Sequence, residues 1–371
     1  MTDDAPEPDR VPGAPHPRDT VQIFGQDAAT QDFLQALNAD RLHHGWLITG
    51  PLGVGKATLA WAMARFLLAT SEEADGGLFG RPPQYDSLHV DPEHPVARRI
   101  AARSEPGLFS ITRSVNEKTG RLRDQIVIDD IRGLTHFLHM SAAEGGRRVV
   151  IVDSADDMNM NAANGLLKML EEPPARTTIL LISHQPSRLL PTIRSRCREL
   201  RLHPLSPENM HAALQQAGSD VEETPALAEL SAGSVGEALR IVRLGGLEMY
   251  HHLVQLFSGM PSFDRQKALQ LADAAAQRGA ADKFELLLTL IDTIVTRLAR
   301  TGATGHPPTV EAAPGEADLL IRLSPNAQKA RDWATTAQEI SDRSRHGQAV
   351  NLDPAALVLD TVFKVQKTAS A

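Results

Sequence analysis

Short apolar runs and amphipathic stretches alternate through the first half of the chain. Val149-Val150-Ile151-Val152 ends on Asp153, and Thr178-Ile179-Leu180-Leu181-Ile182 ends on Ser183. Between them, residues 161–172 follow a helical pattern that Pro173-Pro174 stops. β-branched runs flanking a helical pattern predict parallel strands joined by a crossover helix. An acid at the carboxyl end of such a strand lies where open α/β sheets hold ligands. Upstream, a helix is expected over 27–39, with Ala28, Phe33, Leu34 and Leu37 on its apolar face, then a strand over 46–49 and a helix over about 56–69. Residues 70–126 read as a loop-like insertion, with a helical fragment near 95–103 and an apolar patch over 108–111. The next helix runs through Met140, presents Ile131, Leu134, Phe137 and Leu138, and has Asp129 or Asp130 to cap it. A last short strand is expected over 199–202. Ser206-Pro207 then announces helices, Ser as cap and Pro in the first turn. From 250 to 348 the pattern is almost wholly helical, with clear examples over 264–277 and 281–300. A Pro/Gly/Thr-rich linker over 301–315 interrupts it, and a final helix spans 353–366.

Composition narrows this picture. With 371 residues the chain has room for two or three domains. Aromatic residues make up only 4%, so the cores must be aliphatic. A net charge of -8 excludes a general polyanion binder and leaves room for a local basic patch. Cys197 is the single cysteine, which rules out an intramolecular disulfide and a cysteine-built zinc site. No apolar run approaches the ~18 residues of a membrane span, the start of the sequence lacks a signal-peptide core, and a cytoplasmic location is expected. Residues 1–18 hold five prolines among acids and small residues (Pro6, Pro8, Pro12, Pro15 and Pro17) and are expected to be a disordered tail.

Gly50-Pro51-Leu52-Gly53-Val54-Gly55-Lys56-Ala57-Thr58 is a G-x-x-x-x-G-K loop between an expected strand and an expected helix. Its glycines let successive N–H groups turn towards a phosphate, the helix start adds positive potential, and the lysine reaches the outer phosphates. Gly50, Gly53, Gly55 and Lys56 are therefore candidate nucleotide contacts, with a glycine-rich packing turn as the alternative. The hydroxyl that should follow the lysine to ligate Mg²⁺ is replaced by Ala57. Thr58 lies one position late, about 100° further around the helix.

Together, the G-x-x-x-x-G-K loop, the Val-Val-Ile-Val-Asp strand, the Ala-Asn-Gly-Leu-Leu-Lys-Met-Leu-Glu-Glu-Pro-Pro helix and the Ser195-Arg196-Cys197 triplet resemble bacterial clamp-loader subunits. These are AAA+ proteins of the DNA polymerase III holoenzyme. The resemblance implies an α/β P-loop domain with a parallel sheet over 19–204 (with 70–126 a variable insertion). A small helical lid would follow over 205–245, and an all-α collar for oligomerisation over 246–371. Two kinds of subunit carry the triplet. Gamma/tau hydrolyses ATP, whereas delta' supplies the triplet's arginine to a neighbour and has little or no ATPase of its own. Four departures bear on the choice. Ala57 lacks the Mg²⁺ hydroxyl. Ser154 stands where an active ATPase has a water-polarising Glu. Gly236 stands where the motor has its second sensor arginine. The four-cysteine zinc module is absent. The first three each remove a ligand or charge that phosphoryl transfer uses.

The resemblance to the delta' type thus implies Arg196 as an arginine finger acting in trans. It implies ATP or ADP at a degenerate P-loop (Gly50, Gly53, Gly55, Lys56, Thr58 and Asp153), with Mg²⁺ doubtful and no zinc or other resident metal. Ser183 would be the first sensor. Gamma/tau and delta subunits, the sliding clamp and, through the complex, primed DNA are the implied partners, with no membrane. A gamma-like ATPase with an atypical magnesium site, or a non-catalytic nucleotide-binding scaffold, are the alternatives. Asp156 and Asp157 are expected to be solvated, and Lys168 to pair with Glu171 or Glu172 along its helix.

Overall fold

The computed structural model describes residues 7–73, 84–139, 146–219, 224–262, 264–277, 279–350 and 352–371. Contacts divide the chain into two units, Met1–Asp220 with Gly233–Gly236, and Val221–Ala232 with Glu237–Ala371.

The elements follow in chain order as α1 (Asp27–Asn38), β1 (Gly45–Thr49), α2 (Lys56–Glu73), α3 (Pro95–Ala101), β2 (Leu108–Ile111), α4 (Ile128–His139), β3 (Arg148–Val152), α5 (Met160–Glu171), β4 (Thr177–Ser183), α6 (Pro191–Arg194), β5 (Arg198–Arg201) and α7 (Pro207–Gln216). The strands form one sheet in the order β2-β3-β4-β1-β5, and every neighbouring pair is parallel. Both faces are covered, so the central strands read as unbroken apolar runs. Along β1, Trp46 and Ile48 face a core shared with α1, α2 and α3. Leu47 faces the opposite core, shared with α4 and α5. The period-two alternation of side chains thus puts successive residues of one strand into two separate cores.

Three expectations change. The apolar patch inside the expected insertion is the edge strand β2, in register with β3 from Leu108↔Val149 to Ile111↔Val152. An edge strand needs only one partner, and four residues without turn signals at both ends leave little pattern to read. On α1 the buried face is Ala29, Phe33, Leu34 and Ala36, while Ala28 is exposed. The expected disordered tail is packed from residue 7 onward; residues 1–6, like Met140, lie outside the described residues. Ala14 and His16 are buried, His16 at 2% exposure. The ring of His16 meets Trp61 edge-on at 5.5 Å, and its Nε2 lies 3.0 Å from Asp9 Oδ2. Arg65 donates to the carbonyls of Arg18 (2.6 Å) and Thr20 (3.2 Å). Low apolar content argued for disorder, but a few side chains aimed at a prepared surface are enough to order a short segment.

The second unit is helical. It holds α8 (Pro225–Ser231), most of α9 (Val235–Leu244), α10 (Gly246–Ser258), α11 (Arg265–Ala276), α12 (Ala281–Thr304), α13 (Glu316–Leu323), α14 (Ala327–Ala349) and α15 (Pro354–Ser370). Within it α12 packs along α14, and α11 along α15. No described helix is long and apolar enough to cross a membrane.

Candidate nucleotide site and the exposed arginine

The loop from β1 to α2 runs through Gly50, Gly53 and Gly55 at φ of +143°, +76° and +98°. At Gly53 a Cβ would lie 2.3 Å from Ser234 Oγ, so both the left-handed backbone and the close approach require glycine. Every carbonyl from Gly50 to Gly55 is engaged from within the chain. Lys56 Nζ donates to Gly50 (2.7 Å) and to Pro51. Ser234 Oγ donates to Leu52 at 2.9 Å, the Gly236 amide to Gly53 at 3.2 Å, Gln26 Nε2 to Val54 at 3.2 Å, and the Leu59 amide to Gly55 at 2.9 Å. With its acceptors used up in this way, the loop has N–H groups left to offer, which suits an anion.

At the position that follows the P-loop lysine there is no hydroxyl for a magnesium ion: Ala57 packs against the core beneath α2. Asp153, just after β3, has its pKa pushed up to about 7 by burial and then by the nearby charge of Asp9. Burial pulls Lys56 down to about 8, against the attraction of Asp153 and Asp156. Ser154, next in the chain after Asp153, is buried.

Asp156 is not a solvated acid. Its Oδ1 accepts from Ser183 Oγ at 2.7 Å, and its Oδ2 accepts from the amides of His184 and Gln185. The loop after β3 is thereby tied to the end of β4 and fixes the fully buried Ser183. Nothing in the local sequence announces this bond, because its partners stand 27 and more residues apart. Gln26 was missed for the same reason. Besides Val54 it donates to the His203 carbonyl at 2.8 Å and accepts from the His203 amide at 3.2 Å.

Arg196 stands apart from the loop, between α6 and β5. Its guanidinium pairs with Glu171 at 2.9 Å and donates to the Thr192 carbonyl at 3.0 Å. The two side chains are 36% and 43% exposed. Glu171 is therefore engaged by Arg196 rather than by Lys168 as expected from helical spacing. Arg198 lies over the ring of Trp46, 5.2 Å from its centroid. Cys197 packs against the α4–α5 core, and burial pushes its thiol up to about 12, so it acts as a small apolar group.

The sequence model of the family described as DNA polymerase III, delta subunit, matches residues 25–206. The delta' subunit of Pseudomonas aeruginosa is 37% identical over 226 residues, which are 60% of this chain and 62% of that protein. The delta' subunit of Escherichia coli K12 is 29% identical over 81% of this chain and 83% of its own length. Over that span the chain is similar to clamp-loader subunits of DNA polymerase III, delta' subunits among them. A gamma/tau subunit of Mycobacterium tuberculosis H37Rv is 27% identical over 72% of this chain and 45% of its own. Among solved structures, a gamma-subunit-related protein of Thermotoga maritima aligns with 91% of this chain and all of its own at 18% identity and a TM-score of 0.41. Gly236 approaches the P-loop closely. A Cβ there would stand 3.0 Å from the Cα of Gly53, so the turn meets the P-loop backbone to backbone.

Proposed function

We propose that the chain acts as the delta' subunit of a clamp loader. In that reading it helps place a sliding clamp on primed DNA in the cytoplasm, together with gamma/tau and delta subunits. Residues 19–204 form its AAA+ domain, 205–245 its lid and 246–371 its collar. Its catalytic contribution is Arg196, delivered in trans to the ATP site of a neighbouring gamma/tau subunit, while the chain itself hydrolyses little or no ATP.

The observation that carries this reading is the exposed guanidinium of Arg196. An arginine fork offers fixed charge and paired donors that match phosphate oxygens. Here it is held by an exposed pair with Glu171, of a kind worth about 0–1 kcal/mol, and by one bond to the Thr192 carbonyl. A neighbour's triphosphate carries more charge than Glu171 and can take the fork from it. The idle P-loop supports the second half of the reading. Ala57, Ser154 and Gly236 each stand where hydrolysis uses a ligand or charge that they lack. Gly50, Gly53, Gly55, Lys56 and Thr58 remain able to cradle the phosphates of ATP or ADP without turning them over.

The test is a reconstituted loader with primed DNA. Arg196→Ala should leave assembly intact and lower the turnover of the adjoining ATP site at least about tenfold, a conservative threshold against the roughly 10³–10⁵ that a finger can supply. Unchanged turnover would refute the finger. Robust ATPase from the isolated chain, abolished by Lys56→Ala, would favour a gamma-like motor instead.

A further inference from the structure

Residues 7–19 are anchored at two places near the P-loop. At the first the His16 ring meets Trp61, which stands on α2, the helix that Lys56 begins. Further along α2, Arg65 holds the carbonyls of Arg18 and Thr20. At the second, Val11 Cγ2 lies 3.6 Å from the position a Cβ would take on Gly236, and the same position is 3.0 Å from Gly53 Cα. Val11, the Gly236 turn and the second glycine of the P-loop therefore meet at one spot. Two tight turns shape the segment between the anchors, closed by Arg10 N→Glu7 O (3.1 Å) and Ala14 N→Val11 O (3.0 Å). Asp9 bonds the His16 ring, and its charge reaches Asp153.

We propose that residues 7–19 are a strap that occupies the ligand face of the P-loop and competes with nucleotide for it. The only apolar side chains of residues 7–18 other than proline, Val11 and Ala14, serve as contacts, Val11 against the Gly236 turn and Ala14 buried. The strap rests on reading Gly50 to Thr58 as a nucleotide site. Nucleotide and strap then exclude one another, and by reciprocity whatever lifts the strap raises affinity for nucleotide.

The test uses the full chain and N-methylanthraniloyl-ADP. If the closed form holds about 90% or more of the population, releasing it raises apparent affinity by about tenfold or more. Val11→Gly and His16→Ala should each show that gain, and adding Lys56→Ala should erase it. In the wild-type chain, saturating nucleotide should speed hydrogen exchange at the amides of Arg10, Ala14, Asp19 and Thr20, all bonded within the strap. Equal affinity in wild type and both variants, with unchanged exchange, would overturn the strap and leave the nucleotide site standing. No binding by wild type or by either variant would overturn the nucleotide site, and the strap with it.

Discussion

Arg196 and Glu171 are charged partners on a wet surface, and that setting decides what each substitution does. Glu171→Ala removes an exposed pair, so thermal or urea unfolding should shift by no more than about 0.5–1 kcal/mol. Adding Glu171→Ala to a reconstituted loader should leave adjoining-site turnover at or above wild type, since the fork loses only a competitor for the phosphate. Asp153 behaves differently because it is raised from 3.8 to about 7. Between those values the folded chain holds a proton that the unfolded chain has released. Stability contributed by this group is therefore present at low pH and lost as pH rises through the window. Measured against Asp153→Asn, the wild type should lose ground from about pH 4 and level off above about 7, with a slope no steeper than about 1.4 kcal/mol per pH unit. A flat difference between the two proteins across that range would show that Asp153 titrates normally.

At the scale of elements, the loop between β1 and α2 was legible because glycine spacing, strand and helix all lie within one short stretch. What that stretch does not contain is its support. The carbonyls of Leu52 and Gly53 are held by Ser234 and Gly236, and that of Val54 by Gln26. These partners lie far away in the chain, so no local period reveals them. The strand β2 was illegible for a related reason, since four residues on a sheet edge acquire strand character from β3 rather than from their own sequence. The supports should be measurable. Gly53→Ala forces a side chain into a left-handed backbone and against Ser234, and should cost about 1–3 kcal/mol. Urea unfolding should show this as a lower midpoint at unchanged slope. Gln26→Ala strands the Val54 carbonyl and both backbone groups of His203, and a cost of about 2 kcal/mol or more is expected from unpaired buried polar groups. If instead both variants unfold at the wild-type midpoint, the loop is held by its own glycines alone.

Across the molecule, helical periodicity made the second unit readable as helices, but it gave no sign of the charged cluster inside it. Glu316, 1% exposed, accepts from the Tyr250 hydroxyl at 2.5 Å and from the Ala312 amide at 2.7 Å. It also pairs with Arg297 Nε at 2.7 Å. Arg297 reaches in turn to the Val310 carbonyl and to Glu229. This cluster ties α8, α10, α12 and α13 to the proline- and glycine-rich stretch that the sequence marked as a linker over 301–315, so that stretch is held down rather than free. Burial, with Glu316 beside it, raises the Tyr250 pKa far above that of a free phenol, keeping its hydroxyl a donor at any ordinary pH. A buried pair of this kind contributes little beyond what an apolar pair would, yet removing one member leaves the other charged without a partner and costs about 3–5 kcal/mol. Glu316→Ala should therefore destabilise this unit by that amount. Native-state hydrogen exchange should show amides of α12, α13 and the 305–315 stretch losing protection, while those of β1 and β4 keep theirs. Because the proposed collar lies in this unit, the same variant should weaken incorporation into the loader without changing the affinity of the P-loop for nucleotide. Loss of both together would mean that the cluster supports the whole chain rather than the helices it joins.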